Sequence, residues 1–403
     1  MLRLIHTSCG RSYVAARDIP AHENVLCATS DVWAPLWPCD EAELTPLERA
    51  VLKRDPGPAA PPTSDEDAAD EAGEAQLLGS LAQFWLLALR AALRVVAAPT
   101  CLLALDDGWS TRPTSSRRLV RALAERLRAA LEGAASASIS VASVEHVLGA
   151  ILINAFGTRS APGASGEPAG VGLFLTASMF QHSCVPSCEV DAAAAPLTAD
   201  DPRGGGGGAA ILVRTSRPVA AGEEVTISYV DGAEPSYVRR RLLWAGKNFL
   251  CACERCLDVT DGERFGGCLR CPRCPTGWQM PPPHQPARSV PASRAPASLP
   301  VGGSPRQPEG GDGAARRVVE WAPGPFVCTA CAHATSFGEV WAWDRDLRRR
   351  LAAAEALHRR EVAYAQVLEA YRAGEWGVGW GWGVVEGRGE AGVGQGQKGV
   401  WGV

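Results

Sequence analysis

Gln181-His182-Ser183-Cys184-Val185-Pro186-Ser187-Cys188, then Gly222-Glu223-Glu224-Val225-Thr226-Ile227-Ser228-Tyr229, then Phe249-x-Cys251-x-Cys253-x-x-Cys256 are the segments that decide the reading of this chain. The last places three thiols within six residues. Such spacing is too tight to bridge distant loops and well suited to holding one ion. The middle segment ends ILVRTSRPVAAGEEVTISYV (211–230), in which Ala221 and Gly222 break a β-branched run into two strands. Ten of the 14 cysteines lie between Cys184 and Cys331. Among them Cys271-x-x-Cys274 and Cys328-x-x-Cys331 have the form of two zinc-ribbon knuckles. Cys268 stands three residues before Cys271 and leaves that pairing open. The 53 residues between the knuckles lengthen the loop, at a closure cost that grows slowly with length. Buried free thiols are the plain alternative for both groups. Cys9, Cys27, Cys39, Cys101 and Cys188 are expected as ordinary core or surface residues.

The three opening segments, in this order, resemble the SET domain, and the C-x-C-x-x-C spacing resembles the SET-and-MYND protein-lysine methyltransferases in particular. Gly10-Arg11-Ser12-Tyr13 looks like that family's Gly-x-Gly loop, Asn154-Ala155-Phe156 like its Asn-Ser-Phe, and Gly172-Leu173-Phe174 like its Gly-Leu-Tyr. The resemblance threads through residues 8 to 256. It implies an S-adenosylmethionine-dependent lysine N-methyltransferase acting on a histone or another lysine-containing protein. Gly10, Arg11, Asn154, Gln181 and His182 would then contact the methyl donor, and Phe249 would pack on its adenine. Tyr229 would be the catalytic residue facing the sulfonium, and Phe156 would line the channel for the arriving lysine. The resemblance also supplies Cys184 as a fourth ligand beside Cys251, Cys253 and Cys256. With Cys271, Cys274, Cys328 and Cys331, two zinc ions are expected.

Such chemistry needs a shielded site. A lysine amine attacks only when neutral, and its reference pKa near ~10.4 leaves it protonated at neutral pH. Aromatic walls and a neighbouring positive charge both lower that pKa. Holding both reactants at near-attack distance supplies much of the rate.

The sequence departs from the family pattern in several places. No MYND finger occurs between Val32 and Gln76, where Cys39 is the only cysteine. Gln181 and Ser187 stand for Asn, Ser12 for Gly, and Lys247 for an aromatic that commonly lines the lysine channel. Gln181 and Lys247 favour a second reading, a zinc-stabilised interaction scaffold of the same fold that is catalytically weak. A nucleic-acid-binding zinc module is a third, against which the cysteine-rich region lacks a dense basic and aromatic surface.

The net charge of −4 supplies no drive toward a polyanion, so direct nucleic-acid binding is not expected, and a basic protein partner fits the sign better. Arg90 and Arg94 interrupt the apolar stretch Leu77 to Leu105, which is expected as a core-facing helix and not a membrane span. The first residues carry no apolar leader-like run, so a reducing nuclear or cytoplasmic setting is expected. The fold class expected is α+β. A β-rich SET domain over 1–248 would carry a disordered insertion at 40–76, centred on the acidic run Pro56 to Gly73, a helical insertion at 77–150 and a flexible loop at 192–210. A post-SET zinc region would follow at 249–335 with a disordered loop at 281–317, then a helical segment at 341–372, resembling the start of the family's C-terminal helical repeats, and a low-complexity tail at 373–403.

Overall fold

The computed structural model describes residues 1–7, 10–59, 71–97, 102–109, 112–135, 139–159, 168–195, 208–283, 288–291, 317–320 and 323–372. The expected tail at 373–403, Cys9 and Cys101 lie outside the described residues. The chain divides into two compact units, Met1–Gly267 with Pro283–Ala322 and Lys398–Val403, and Cys268–Pro282 with Pro323–Gln397.

The first unit opens with β1 (Leu2–Thr7), β2 (Gly10–Ala15), β3 (Asn24–Thr29) and β4 (Val32–Pro35). Five helices follow: α1 (Pro46–Arg54), α2 (Glu71–Gln83), α3 (Trp85–Ala97), α4 (Thr114–Ala135) and α5 (Val141–Asn154). Then come β5 (Phe156–Arg159), β6 (Pro168–Leu173), β7 (Gln181–His182), β8 (Cys188–Ala195), β9 (Gly208–Thr215), β10 (Glu224–Ile227), α6 (Ser236–Lys247) and the short α7 (Glu254–Leu257). One sheet has the order β1-β2-β10-β7 and the other β3-β9-β8-β5-β6-β4. Every second residue of β9 is buried, the period expected of a strand with one face on a core. Ala15, Ile19, Phe174, Phe180, Ile211, Val213, Val225 and Ile227 form the core of this β half. In α4, Val120, Leu123, Ala124, Leu127 and Leu131 recur at helical spacing and are buried in a second, helical core with α3 and α5. The mixed α+β architecture with a helical insertion is the one expected.

Several elements differ from expectation. β1 lies ahead of the first strand read from the sequence; its exposed face leaves no alternation to read. The insertion at 40–76 is not all disordered: a short helical turn spans Glu41–Glu43 and α1 spans Pro46–Arg54. Thr45 and Glu48 form a reciprocal capping box around Pro46, which starts α1 although only Val51 and Leu52 give it apolar burial. Thr45→Ala is therefore expected to lower the stability of this unit by about 1 kcal/mol, read from the urea midpoint. Glu48 is also the buried partner of Arg90, whose guanidinium bonds Glu48 at 2.8 Å and the Trp33 carbonyl at 3.0 Å. The apolar stretch from Leu77 is two helices bent by 69° instead of one.

At 192–210, β8 runs on to Ala195 and β9 begins at Gly208, paired residue for residue. Here ladder hydrogen bonds override the weak strand propensity of alanine and glycine. Across 281–317 the strand β13 (Arg288–Pro291) pairs antiparallel with β14 (Arg317–Glu320), which begins at the last residue of that stretch.

In the second unit, β11 (Leu269–Arg270), β12 (Trp278–Met280), β15 (Phe326–Cys328) and β16 (Ala334–Thr335) form one small sheet. The helix α8 (Phe337–Arg372) starts four residues earlier than expected, at a capping box made by Ser336 and Glu339.

Candidate active site and metal centres

Residues expected at the donor site come from five places in the first unit, and a chain of contacts joins them. Gly10, at the start of β2, has φ +111°, a conformation that suits glycine. The Gln181 side chain crosses from β7 to donate to the Arg11 carbonyl at 2.6 Å. Its extra methylene relative to Asn supplies the reach. Arg11 in turn donates to the Ala104 carbonyl at 2.5 Å. Ser12, in place of Gly, is buried and turned onto Glu224 of β10. Asn154, the last residue of α5, gives its amide hydrogens to the carbonyls of Asp106 (2.8 Å) and Ala150 (2.9 Å), so what it can offer a ligand is its Oδ1 acceptor. Ser187, in place of Asn, exchanges hydrogen bonds with Thr226 and so ties the His-Ser-Cys segment to β10.

Tyr229 follows β10. Its ring lies 5.2 Å from that of His182 and edge-on to Phe249 at 6.3 Å, while Phe249 lies 5.9 Å from His182. The Tyr229 hydroxyl donates to the Phe180 carbonyl at 2.5 Å. With its proton so committed, the oxygen presents lone pairs only. Burial and then Glu224 push the phenol above its ordinary pKa, so it stays un-ionised. The Tyr229 N–H donates to His182 Nδ1 at 3.0 Å, which places the ring hydrogen on Nε2, 3.2 Å from Cys184 Sγ. Burial pushes His182 down to about 4, and it is neutral at pH 7. One imidazole thus joins the tyrosine to a cysteine of the thiol cluster.

Asn248 caps α6 with φ 58° and turns the chain so that Phe249 faces back to Tyr229. Its buried Nδ2 has no acceptor among the described residues. Phe156 is buried edge-on against Phe174 in the core of the β half.

The sulfurs of Cys184, Cys251, Cys253 and Cys256 lie within 4.8 Å of one another. Two separations are 4.0 Å, Cys184 to Cys251, and 3.4 Å, Cys184 to Cys256. Four thiolates around one zinc stand about 3.8 Å apart, so the set fits a tetrahedral ion. Four adjacent thiols cannot all ionise by themselves; a hydrogen bond from Cys184 pulls Cys256 down to about 7. Behind the cluster, Arg239, Arg240, Arg255 and Asp261 are all buried. Arg239 grips Asp261 through two nitrogens at 2.6 and 3.1 Å and reaches Cys256 Sγ at 3.9 Å. Arg255 bonds Asp261 and the Gly232 carbonyl, and Arg240 bonds the Cys256 carbonyl. Sequence reasoning missed this group; its one visible signal was Arg255 lodged between two ligand cysteines.

In the second unit the open pairing resolves. Cys271, Cys274, Cys328 and Cys331 bring their sulfurs within 4.8 Å, with 3.7 Å between Cys271 and Cys331 and between Cys274 and Cys328. Cys268 instead points to the Met280 sulfur at 3.4 Å. The Cys331 and Ala330 N–H groups face Cys328 Sγ at 3.5 and 3.4 Å, and these bonds hold its thiol down at about 6. A Cβ on Gly277 would stand 2.2 Å from Cys328 Sγ and 2.7 Å from Cys274 Sγ, so only glycine lets the backbone approach this closely. Both tetracysteine groups can hold a metal. Of the remaining cysteines, Cys188 is buried and burial raises its thiol to about 11.

Over 136 residues, 32% of the chain, the sequence is 30% identical to the histone-lysine N-methyltransferase Smyd1 of Mus musculus. Over 86 residues, 21% of the chain, it is 36% identical to the histone-lysine N-methyltransferase SET5 of Meyerozyma guilliermondii. These matches cover 26% and 16% of the two relatives' own lengths. Among solved structures, the SET domain of LSMT bound to lysine and AdoHcy aligns over 66% of this chain and 58% of its own, at 14% identity and a TM-score of 0.31. Residues 10–230 match the SET domain itself. That span runs from the glycine that opens β2 to the residue after Tyr229 and takes in more than half of the 403 residues, and the chain accordingly belongs to the SET-domain methyltransferase family.

Proposed function

We propose that the chain is a protein-lysine N-methyltransferase that moves a methyl group from S-adenosylmethionine to a lysine side chain of a histone or another protein, with zinc on both tetracysteine sites. The observation that carries this reading is the grouping of the Tyr229, His182 and Phe249 rings, in which the Tyr229 hydroxyl gives its proton to the Phe180 carbonyl and keeps acceptor lone pairs. S-adenosylmethionine, when bound, supplies an electrophilic methyl group beside a positive sulfur. Gly10, Arg11, Gln181, His182 and Asn154 are the residues that would hold it, with Phe249 on its adenine and the Asn248 amide as a further donor. Tyr229 accepts from an N–H of the incoming amine and so fixes the direction of its lone pair. The aromatic walls favour the neutral amine by keeping it from water. The names of the two relatives agree with this reading.

Stabilisation by the donor is the direct test. S-adenosylmethionine at 100 times its dissociation constant is expected to stabilise the fold by ~2.7 kcal/mol, seen as a rise in Tm, and S-adenosylhomocysteine should do likewise. The scaffold reading rests on Gln181, whose amide is spent on Arg11, and on Lys247, whose amine sits beside Tyr229. Absence of any shift at saturating donor would promote it.

A further inference from the structure

Lys247, the last residue of α6, brings an amine into the region just described. Its Nζ donates to the Ile153 carbonyl at 2.9 Å and the Leu152 carbonyl at 3.3 Å, the two residues before Asn154. It lies 5.8 Å from the centroid of the Tyr229 ring. Phe249, two residues on, stands edge-on to the same ring at 6.3 Å. The amine thus lies between the end of α5 and the Tyr229 ring, the ring to which the proposed reaction must deliver a substrate amine.

The seat also suits a nucleophile. Burial pushes the Lys247 pKa down to about 8. About a tenth of the amine is then neutral at pH 7, far more than for a solvated lysine. An uncharged amine that directs its two hydrogens at two carbonyls has its lone pair left facing away from the end of α5.

We propose that Lys247 is itself a methyl acceptor and that the chain methylates it in cis. The inference rests on the methyltransferase reading above. The Nζ lone pair forms a bond to the methyl carbon as the carbon–sulfur bond breaks, and that bond's electron pair stays on sulfur, giving S-adenosylhomocysteine. The positive charge passes to the amine, which releases one proton to water; nothing is oxidised or reduced. A second methyl would leave the neutral amine without hydrogens for the two carbonyls, so the seat favours a single addition.

The alternative is that Lys247 only caps the carbonyls at the end of α5. Incubating the full chain with S-adenosylmethionine carrying a trideuterated methyl group, followed by peptide mass mapping and a parallel donor-binding measurement, separates the two. Near-stoichiometric heavy label on Lys247 is expected. It should build up at a rate independent of protein concentration and be lost in Lys247→Arg and in Tyr229→Phe. A light methyl group present on Lys247 in the wild type and missing from Tyr229→Phe would count in the same sense. Donor binding with Lys247 carrying neither heavy nor light methyl overturns this proposal alone and leaves the cap. A labelling rate that climbs with protein concentration overturns the cis step. Failure to bind the donor overturns both readings.

Discussion

Cys253→Ser is expected to remove one of two zinc equivalents from the purified chain and S-adenosylmethionine binding with it, whereas Cys328→Ser removes the other equivalent and spares the donor. Cys251, Cys253 and Cys256 hold the segment that begins at Phe249, and through Cys184 they anchor it to the strand that carries His182. His182 then passes the constraint to the Tyr229 backbone. Losing one thiolate frees Phe249 and the imidazole together. Cys328 belongs to the other compact unit, whose sheet it staples. Structural zinc sites contribute on the order of 10 to 16 kcal/mol of apparent binding in small zinc-finger peptides, so each variant should also unfold its own surroundings. Elemental analysis and donor titration of both variants beside the wild type provide the measurement. Wild-type zinc near zero would end the metal argument, and equal donor loss in both variants would show that the two sites do not act separately.

Tyr229→Phe is expected to cost on the order of 10²- to 10³-fold in kcat while donor affinity changes little. The ring stays to pack on His182 and Phe249, so the donor keeps its wall. What is lost is the acceptor that aims the substrate amine. The deletion also strands the Phe180 carbonyl, a stability loss of about 1 kcal/mol that thermal melting should register without unfolding the chain. Single-turnover kinetics on a responsive peptide, with donor binding measured separately, divide the two effects. A wild-type rate would remove Tyr229 from the chemistry.

The segments that carried chemistry were readable because their geometry is local. C-x-C-x-x-C sets three thiols together whatever surrounds it, and Gly222 marks a turn wherever it falls. Cys184 was placed through family likeness, since nothing in 67 residues of separation says that two thiols meet. What could not be read was side-chain direction. Gln181 was legible as a departure from Asn, yet its bond to the Arg11 carbonyl depends on how β10 holds β2 and β7 on its two sides. The bridge through His182 depends on a tautomer set by the Tyr229 N–H, and the pairing of Arg90 with Glu48 on the approach of two helices. The helix α1 is a different case. Its capping signal, Thr45-Pro46-x-Glu48, stands in the sequence, but the acidic run after Pro56 hid it.

The arginines behind Cys256 bear on the charge of an ion that the four thiols beside them would hold. Thiolate ligands suit monovalent copper and iron as well as zinc, so ligand identity alone does not single out one metal. Arg239, Arg240 and Arg255 set three buried positive charges against the single negative charge of Asp261. A divalent ion with four thiolates carries two negative charges, which this wall offsets in full. Cuprous ion would leave one negative charge uncompensated in a dry interior and ferric ion one positive, each at a cost of roughly several kcal/mol. The charge of the ion that would fit the four thiols of this site is thus set in part by residues that offer it no ligand atom.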